Sequence, residues 1–387
     1  MKKIYLDYAA ATPVDPRVLK VMEPYFSDKF HNPSATYLAA RQVRKDLEKA
    51  RGDVAGRLGA KPAEVVFTAG ATEANNLAIQ GIMRDFAGGE ALVTAIEHES
   101  VLEPAGLFKY KKVPVAADGR ILLNPSTSLR AGNLKDLISD KTVLVSIAYV
   151  NNEIGTVQPL HEIAALLAEK RQSRRRQNNR LPLYFHTDAA QAPNYFDIHV
   201  SRLGVDLMSI NGGKIYGPKQ SGALYVKAGI KLHPLIVGGG QEFNLRSGTE
   251  NVAGAVGLAA ALKLAQERRN AEMIRLSHLR NLFVNELEKA LPNVTINGSK
   301  KHQAPHIISV TFPEIDNERL MMQLDEAGVQ AATGSACAAA RVEPSRVLSA
   351  IGLSDDEARA TLRFSLGRQT TEADILKTVE LLNKLSN

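Results

Sequence analysis

Val43, Leu47, Ala50, Val54 and Leu58 recur at three- and four-residue spacing and are followed by Gly59, which predicts an amphipathic helix that stops at that glycine. Short apolar runs then alternate with helical patterns. Glu64–Thr68, Ala91–Ile96, Thr142–Val150, Leu183–His186, Val205–Ile210 and Ala223–Val226 read as strands. The Thr142–Val150 run is apolar along nearly its whole length, as expected of a parallel strand covered on both faces. Helices are predicted through Ile79 and Ile82, from about His161 to Arg171, and over a long stretch from Asn251 to Leu291. After Pro292 the pattern changes to a strand at Ile307–Phe312, a helix at Asn317–Gly328, a strand at Thr361–Ser365 and a last helix capped by Thr371 and Asp374. This alternation predicts an α/β fold. A large domain, residues 13–258, has a mostly parallel sheet covered by helices; residues 1–12 and 259–387 form a smaller α/β domain that carries Cys337.

Several apolar runs end in polar clusters: Gly70-Ala71-Thr72, His98, Asn152, and Asp188 with Gln191. Another leads into Gly212-Gly213-Lys214. In open α/β sheets ligands bind beyond the carboxyl ends of the strands. Singly, Asp188 reads as a helix cap, His98 as a satisfied loop histidine and Lys214 as a surface lysine. Together they supply a phosphate cradle at a helix start, an aromatic acid–base group, a carboxylate and an amine able to form a Schiff base. That inventory fits pyridoxal phosphate, which requires a lysine and an acidic partner for its pyridine nitrogen.

Composition narrows the alternatives. The 387-residue chain carries a net charge of +7, concentrated in the run from Lys170 to Arg180, which reads as a solvated helix end or loop and makes direct nucleic-acid binding a minor reading. A single cysteine, Cys337, excludes an intrachain disulfide and a cysteine-rich zinc site. No apolar stretch reaches the ~20 residues that cross a bilayer, and a cytoplasmic protein with no membrane contact is expected. Ile215 stands where a Walker A loop needs Ser or Thr, and no Gly-x-Gly-x-x-Gly follows a strand.

The ordered motifs resemble the NifS/IscS-type cysteine desulfurases, class V, fold-type I pyridoxal-phosphate enzymes. They include Tyr5-Leu-Asp-Tyr-Ala-Ala-Ala-Thr-Pro13, Asn32-Pro-Ser34, Gly70-Ala-Thr-Glu-Ala-Asn-Asn76, Glu97-His98 and Val150-Asn-Asn-Glu-Ile-Gly-Thr-Val-Gln158. They continue through Asp188-Ala-Ala-Gln191, Lys214-Ile-Tyr-Gly-Pro-Lys219, Arg246-Ser-Gly-Thr-Glu-Asn251, Gly334-Ser-Ala-Cys337, Glu343-Pro-Ser345 and Leu362-Arg-Phe-Ser-Leu-Gly-Arg368.

The resemblance implies a role for each site. Lys214 would hold the cofactor and move the substrate Cα proton; Asp188 would pair with the pyridinium nitrogen; Gln191 and Asn152 would bond the ring oxygen, with Asn151 as the fallback. His98 would stack on the ring and exchange protons. Ala71 and Thr72, with Asn211 and Gly213, would bind phosphate, and Thr249 would reach the phosphate of a neighbouring subunit in a homodimer. Asn32 and Arg363 would bind the substrate, Arg363 gripping its carboxylate in a fork. Cys337, amid Gly334, Ser335 and four alanines, would take sulfur from L-cysteine as a persulfide, leave L-alanine, and pass the sulfur to an iron–sulfur or tRNA-thiolation acceptor protein.

The chain departs from the resemblance at Asn211 and Gly213, where the family commonly has Ser and His, at Gln220 in place of a glycine and at Tyr37 in place of a histidine. The runs 124–130 and 171–180 look like insertions. The alternatives are another class V enzyme, an aminotransferase or selenocysteine lyase-like protein, and a weakly active scaffold.

Overall fold

The computed structural model describes residues 3–123, 133–333 and 344–386. Cys337 and the run 124–130 lie outside the described residues.

One seven-stranded sheet organises the first part of the chain. Its strands are β1 (Val65–Thr68), β2 (Glu90–Thr94), β3 (Tyr110–Val113), β4 (Thr142–Ser146), β5 (Tyr184–Asp188), β6 (Leu207–Asn211) and β7 (Gly222–Val226), in the order β1-β7-β6-β5-β4-β2-β3. Only β7 opposes the rest, pairing antiparallel with both β6 and β1. The carboxyl ends of the other six therefore share one rim. Both faces are covered, as alternation along the strands shows. Leu92, Met208 and Ile210 enter one apolar core, while Ala91, Val93 and Leu207 enter the other.

The helix predicted from residue 43 runs from Leu38 to Leu58 and buries Val43, Leu47, Ala50, Val54 and Leu58. Gly59 ends it at φ 65°, where a side chain would be strained, and its N–H closes the last turn on Ala55 and Gly56. A 39-residue helix, Val252–Ala290, links two cores. Leu258, Ala261, Leu262 and Ala265 pack under the large sheet; Leu276, Leu279, Phe283 and Leu287 pack under an antiparallel sheet of Thr295–Asn297, Ile307–Thr311 and Thr361–Ser365. The amino-terminal segment joins this second core through Leu6, and Ile4–Tyr5 pairs with Val329–Gln330.

Several boundaries shift by one or two residues, and two differ by more. β4 ends at Ser146, not Val150, although the chain stays extended: Ile147 and Tyr149 still donate to the carbonyls of His186 and Asp188. The helix expected to stop near Arg171 continues over Leu160–Arg176, and the basic run is not simply solvated. Arg174 is buried and donates to the carbonyls of Ser139, Thr142 and Pro182, while Arg171 pairs with Asp206 and donates to Leu183. Those arginines satisfy carbonyls that the neighbouring loops would otherwise bury unpaired.

Candidate active site

The strand ends converge on a cavity of about 200 Å³ at the sheet rim. Lys214 ends the 3-10 turn Gly212–Lys214 that follows β6, and its Nζ donates to Ala9 O at 2.9 Å and to Ala10 O. The turn is held by Asn211, whose Oδ1 accepts from the Gly213 N–H at 3.0 Å, and by Thr12, which donates to Gly213 O. The lysine is therefore aimed by the backbone on both sides of it.

Asp188 ends β5 and is nearly buried. Its Oδ1 accepts from the Ala190 N–H at 2.9 Å and its Oδ2 from Asn75 Nδ2 at 2.7 Å. The second hydrogen of that amide goes to Ser100 Oγ at 2.8 Å. Ser100 Oγ lies 2.8 Å from His98 Nδ1, which also accepts from the Ser100 N–H at 3.0 Å. Since the Ser100 N–H already requires Nδ1 as an acceptor, the hydroxyl proton also goes to Nδ1, and a neutral His98 carries its proton on Nε2. One chain of bonds thus fixes the carboxylate and the imidazole on the same wall.

Ala71 and Thr72 open the 13-residue helix Ala71–Met83 at the cavity. The cap, Gly70, sits at φ 117° with Gly222 packed against it: a Cβ on Gly222 would come within 2.6 Å of the Gly70 Cα. No side-chain cap bonds the first turn, so its N–H groups face an anion position.

Arg363, in the middle of Thr361–Ser365, is buried and reaches the cavity from the other core. Its Nη2 pairs with Asp7 at 2.7 Å and its Nη1 donates to Asn152 O at 3.0 Å. Asn151 spends its amide on Ile96 O and on the Glu153 and Ile154 N–H groups, which leaves Asn152 as the asparagine able to offer a side chain to the cavity. Ser345 donates to Glu153 at 2.5 Å and caps the following helix, so Pro344, Ser345 and Arg346 form the cavity mouth.

Not every expected residue meets there. Asn32 is exposed, its Oδ1 closing a turn on the Ser34 N–H. Gly213 backs the lysine without lining the cavity, and Thr249 is exposed and does not line it either. Gln191 lines the wall and donates to Ala9 O at 2.9 Å.

Asn75, Ser100 and Glu97 were missed as wall residues. Asn75 and Glu97 stood within quoted motifs, but nothing local distinguishes a wall-building side chain from a helix polar residue. Glu97 is fully buried beside the cavity; its Oε1 accepts from Thr94 and the Ala148 N–H, and burial pushes its carboxyl up to about 8.

These donors fit pyridoxal phosphate. A helix start closed by glycines would suit its phosphate, a carboxylate locked by Asn75 would suit its ring nitrogen, and an amine shares the cavity with them.

Residues 4–377 match the family described as Aminotransferase class-V. The chain is 39% identical over 391 residues to a cysteine desulfurase IscS from Dictyoglomus turgidum, spanning 99% of this chain and 94% of that one. A solved NifS-like protein superposes with a TM-score of 0.89 at 31% identity, covering 99% of each chain. The structure of SspA in complex with cysteine aligns at TM-score 0.77 and 36% identity, over 94% of this chain and 98% of that one.

Proposed function

The chain belongs to the aminotransferase class-V family, and we propose a division of labour for its cavity as that of a cysteine desulfurase. Pyridoxal phosphate, when bound, supplies an electron sink that makes the Cα–H of L-cysteine acidic. Every other part falls to side chains. The Ala71–Thr72 turn and Asn211 hold the phosphate. Asp188 keeps the pyridine nitrogen protonated, and Gln191 and Asn152 bond the ring oxygen. Lys214 binds the cofactor and moves the proton at the substrate Cα. His98 covers the ring and carries a proton on Nε2. Arg363, already forked between Asp7 and Asn152, takes the substrate carboxylate.

Cys337 acts as the nucleophile. Its thiolate attacks the substrate sulfur; an S–S bond forms, the Cβ–S bond breaks with its electron pair left on carbon, and protonation there yields L-alanine. What supports this is the position of its described flanks: Ala332 pairs with Arg363, and Pro344 and Ser345 line the cavity mouth. In this reading residues 13–258 hold the cofactor, while 1–12 and 259–387 bring Arg363 and Cys337.

The protein works as a cytoplasmic homodimer that hands persulfide sulfur to an acceptor protein for iron–sulfur assembly or tRNA thiolation. The dimer is supported by Thr249, exposed in a single chain, together with exposed large apolar side chains that include Phe26, Phe30, Leu38 and Val237. A second copy would cover them and bring Thr249 to the phosphate.

The observation that carries the assignment is the meeting of Lys214, Asp188 and Arg363 in one cavity. Intact-mass measurement after incubation with L-cysteine tests it. A reducible sulfur adduct on wild type, absent from Cys337→Ala, is expected along with alanine release. Alanine and sulfide release that ignores Cys337, or transamination, would sink the desulfurase assignment.

A further inference from the structure

Gln191 has both ends of its amide engaged. Its Nε2 donates to Ala9 O at 2.9 Å, and its Oε1 lies 3.2 Å from Nε2 of the buried His306. The polarity of this chain is determined from one end. A backbone carbonyl only accepts, so Gln191 faces Ala9 with nitrogen; its oxygen then faces His306 and can only accept as well. His306 must therefore hold its proton on Nε2. Nδ1 is left as a buried acceptor with no partner among the described residues. A ring stack on Tyr195, with centroids 4.2 Å apart, fixes the imidazole plane.

The ionisable groups facing His306 keep it neutral. Burial, and then the charge of Arg363, bring its pKa down to about 3, and burial holds the Tyr195 hydroxyl well above its ordinary range. What His306 contributes is thus a fixed N–H donor, not a titrating charge. Ala9 O meanwhile accepts from Lys214 as well as Gln191, so both of its lone pairs are in use. One amide hydrogen of Gln191 remains, and the residue lines the cavity.

We infer that His306, a residue of the second core, is a positioning residue that locks the Gln191 amide with its oxygen turned away, keeping one N–H for the ring oxygen of the cofactor. This rests on the cavity being a pyridoxal-phosphate site. Without the His306 donor, the buried Gln191 oxygen loses its partner; the Ala9 carbonyl still keeps the nitrogen side in place, but the amide is held at one end only and its remaining N–H bonds the ring oxygen less well.

The test titrates pyridoxal phosphate into the cofactor-free full chain and follows the visible band of the bound cofactor. It compares wild type, His306→Phe, which keeps the stacked ring, His306→Gln, which restores a donor, and Gln191→Leu. His306→Phe should raise the Kd about three- to tenfold, the range commanded by one hydrogen bond. It should also move upward the pH at which the visible band is lost, because the ring-oxygen anion is stabilised less. His306→Gln should stay within about twofold of wild type. In a Gln191→Leu background, His306→Phe should change neither quantity further.

A wild-type Kd and midpoint in His306→Phe overturn the inference. So does an equal loss in the Gln191→Leu background, which is what a structural role would give. Melting of each cofactor-free variant is followed alongside; if His306→Phe does not fold, His306→Gln carries the test, and weakened binding there overturns the inference. Wild type that takes up no cofactor would instead sink the cofactor reading itself.

Discussion

The cavity wall and the segment 238–250 are both polar, and they are built on opposite plans. In the wall, Asp188, Asn75 and the pair His98 and Ser100 come from three elements with ordinary backbones and are joined by serial hydrogen bonds. The other segment holds three successive non-glycine residues in the left-handed region, Glu242, Phe243 and Asn244 at φ 46°, 60° and 64°. Such residues cost of order 1–3 kcal/mol each unless their surroundings over-determine them. Here Glu242 forks onto Arg51 with two 2.7 Å bonds, both side chains 3% exposed, and also accepts from the Phe67 N–H. The Arg51 guanidinium in turn lies over the Phe67 and Phe243 rings. The difference is instructive. The wall is complete within one chain, whereas the strained segment is anchored at its base and presents an exposed Thr249 at its end. In the proposed dimer, that exposed end is the part that would serve the second copy.

Arg51→Ala gives the largest effect expected to separate the two plans. It leaves Glu242 as an uncompensated buried charge and releases the left-handed turn, for a loss of about 3–5 kcal/mol in urea denaturation. Dissociation of the proposed dimer should rise in parallel, while the environment of Lys214 stays as in wild type. A loss below about 1 kcal/mol, the range of an exposed pair, would mean that the strain is held elsewhere.

The wall carries a strain of its own, electrostatic in kind. Glu97 rises from an ordinary 4.5 to about 8, with burial first and the charge of Asp188 adding to it, against the bonds from Thr94 and Ala148. A carboxyl with a raised folded-state pKa contributes stability that is complete below about 4.5 and is lost as pH climbs towards 8. Glu97→Gln keeps the oxygen that Thr94 and Ala148 bond and removes the titration. It should be more stable than wild type at pH 9 by on the order of a few kcal/mol and converge with it near pH 4. Parallel stability curves across that range would show that Glu97 stays charged or exposed.

How much of this contrast the sequence disclosed depends on the range of the forces involved. The Leu38–Leu58 helix and the strand ends were legible because periodicity and small-residue turns are local; Lys214, Asp188 and His98 could be nominated from those strand ends, and Arg363 from the family resemblance. Arg174 was misread as part of a solvated run because two of its carbonyl partners, Ser139 and Thr142, lie more than thirty residues away. Glu242 and Arg51 meet across 191 residues, and nothing in either neighbourhood marks the other. His306 carries no local mark in the sequence, since its meaning lies in the amide of Gln191, 115 residues away. Local chemistry was readable, whereas pairings between distant side chains required the packed cores.

Asn75→Ala should produce the smallest effect and bear most directly on the wall. Asn75 Nδ2 spends both hydrogens, one on Asp188 and one on Ser100, so its removal separates the carboxylate from the histidine while both remain in place. Turnover of L-cysteine should fall about tenfold, equivalent to roughly 1.4 kcal/mol of transition-state stabilisation, with cofactor content and melting temperature little changed. The reverse outcome, a lower melting temperature with unchanged turnover, would make this chain of bonds an anchor like Arg51–Glu242 and erase the distinction between a wall that orients chemistry and a clamp that holds shape.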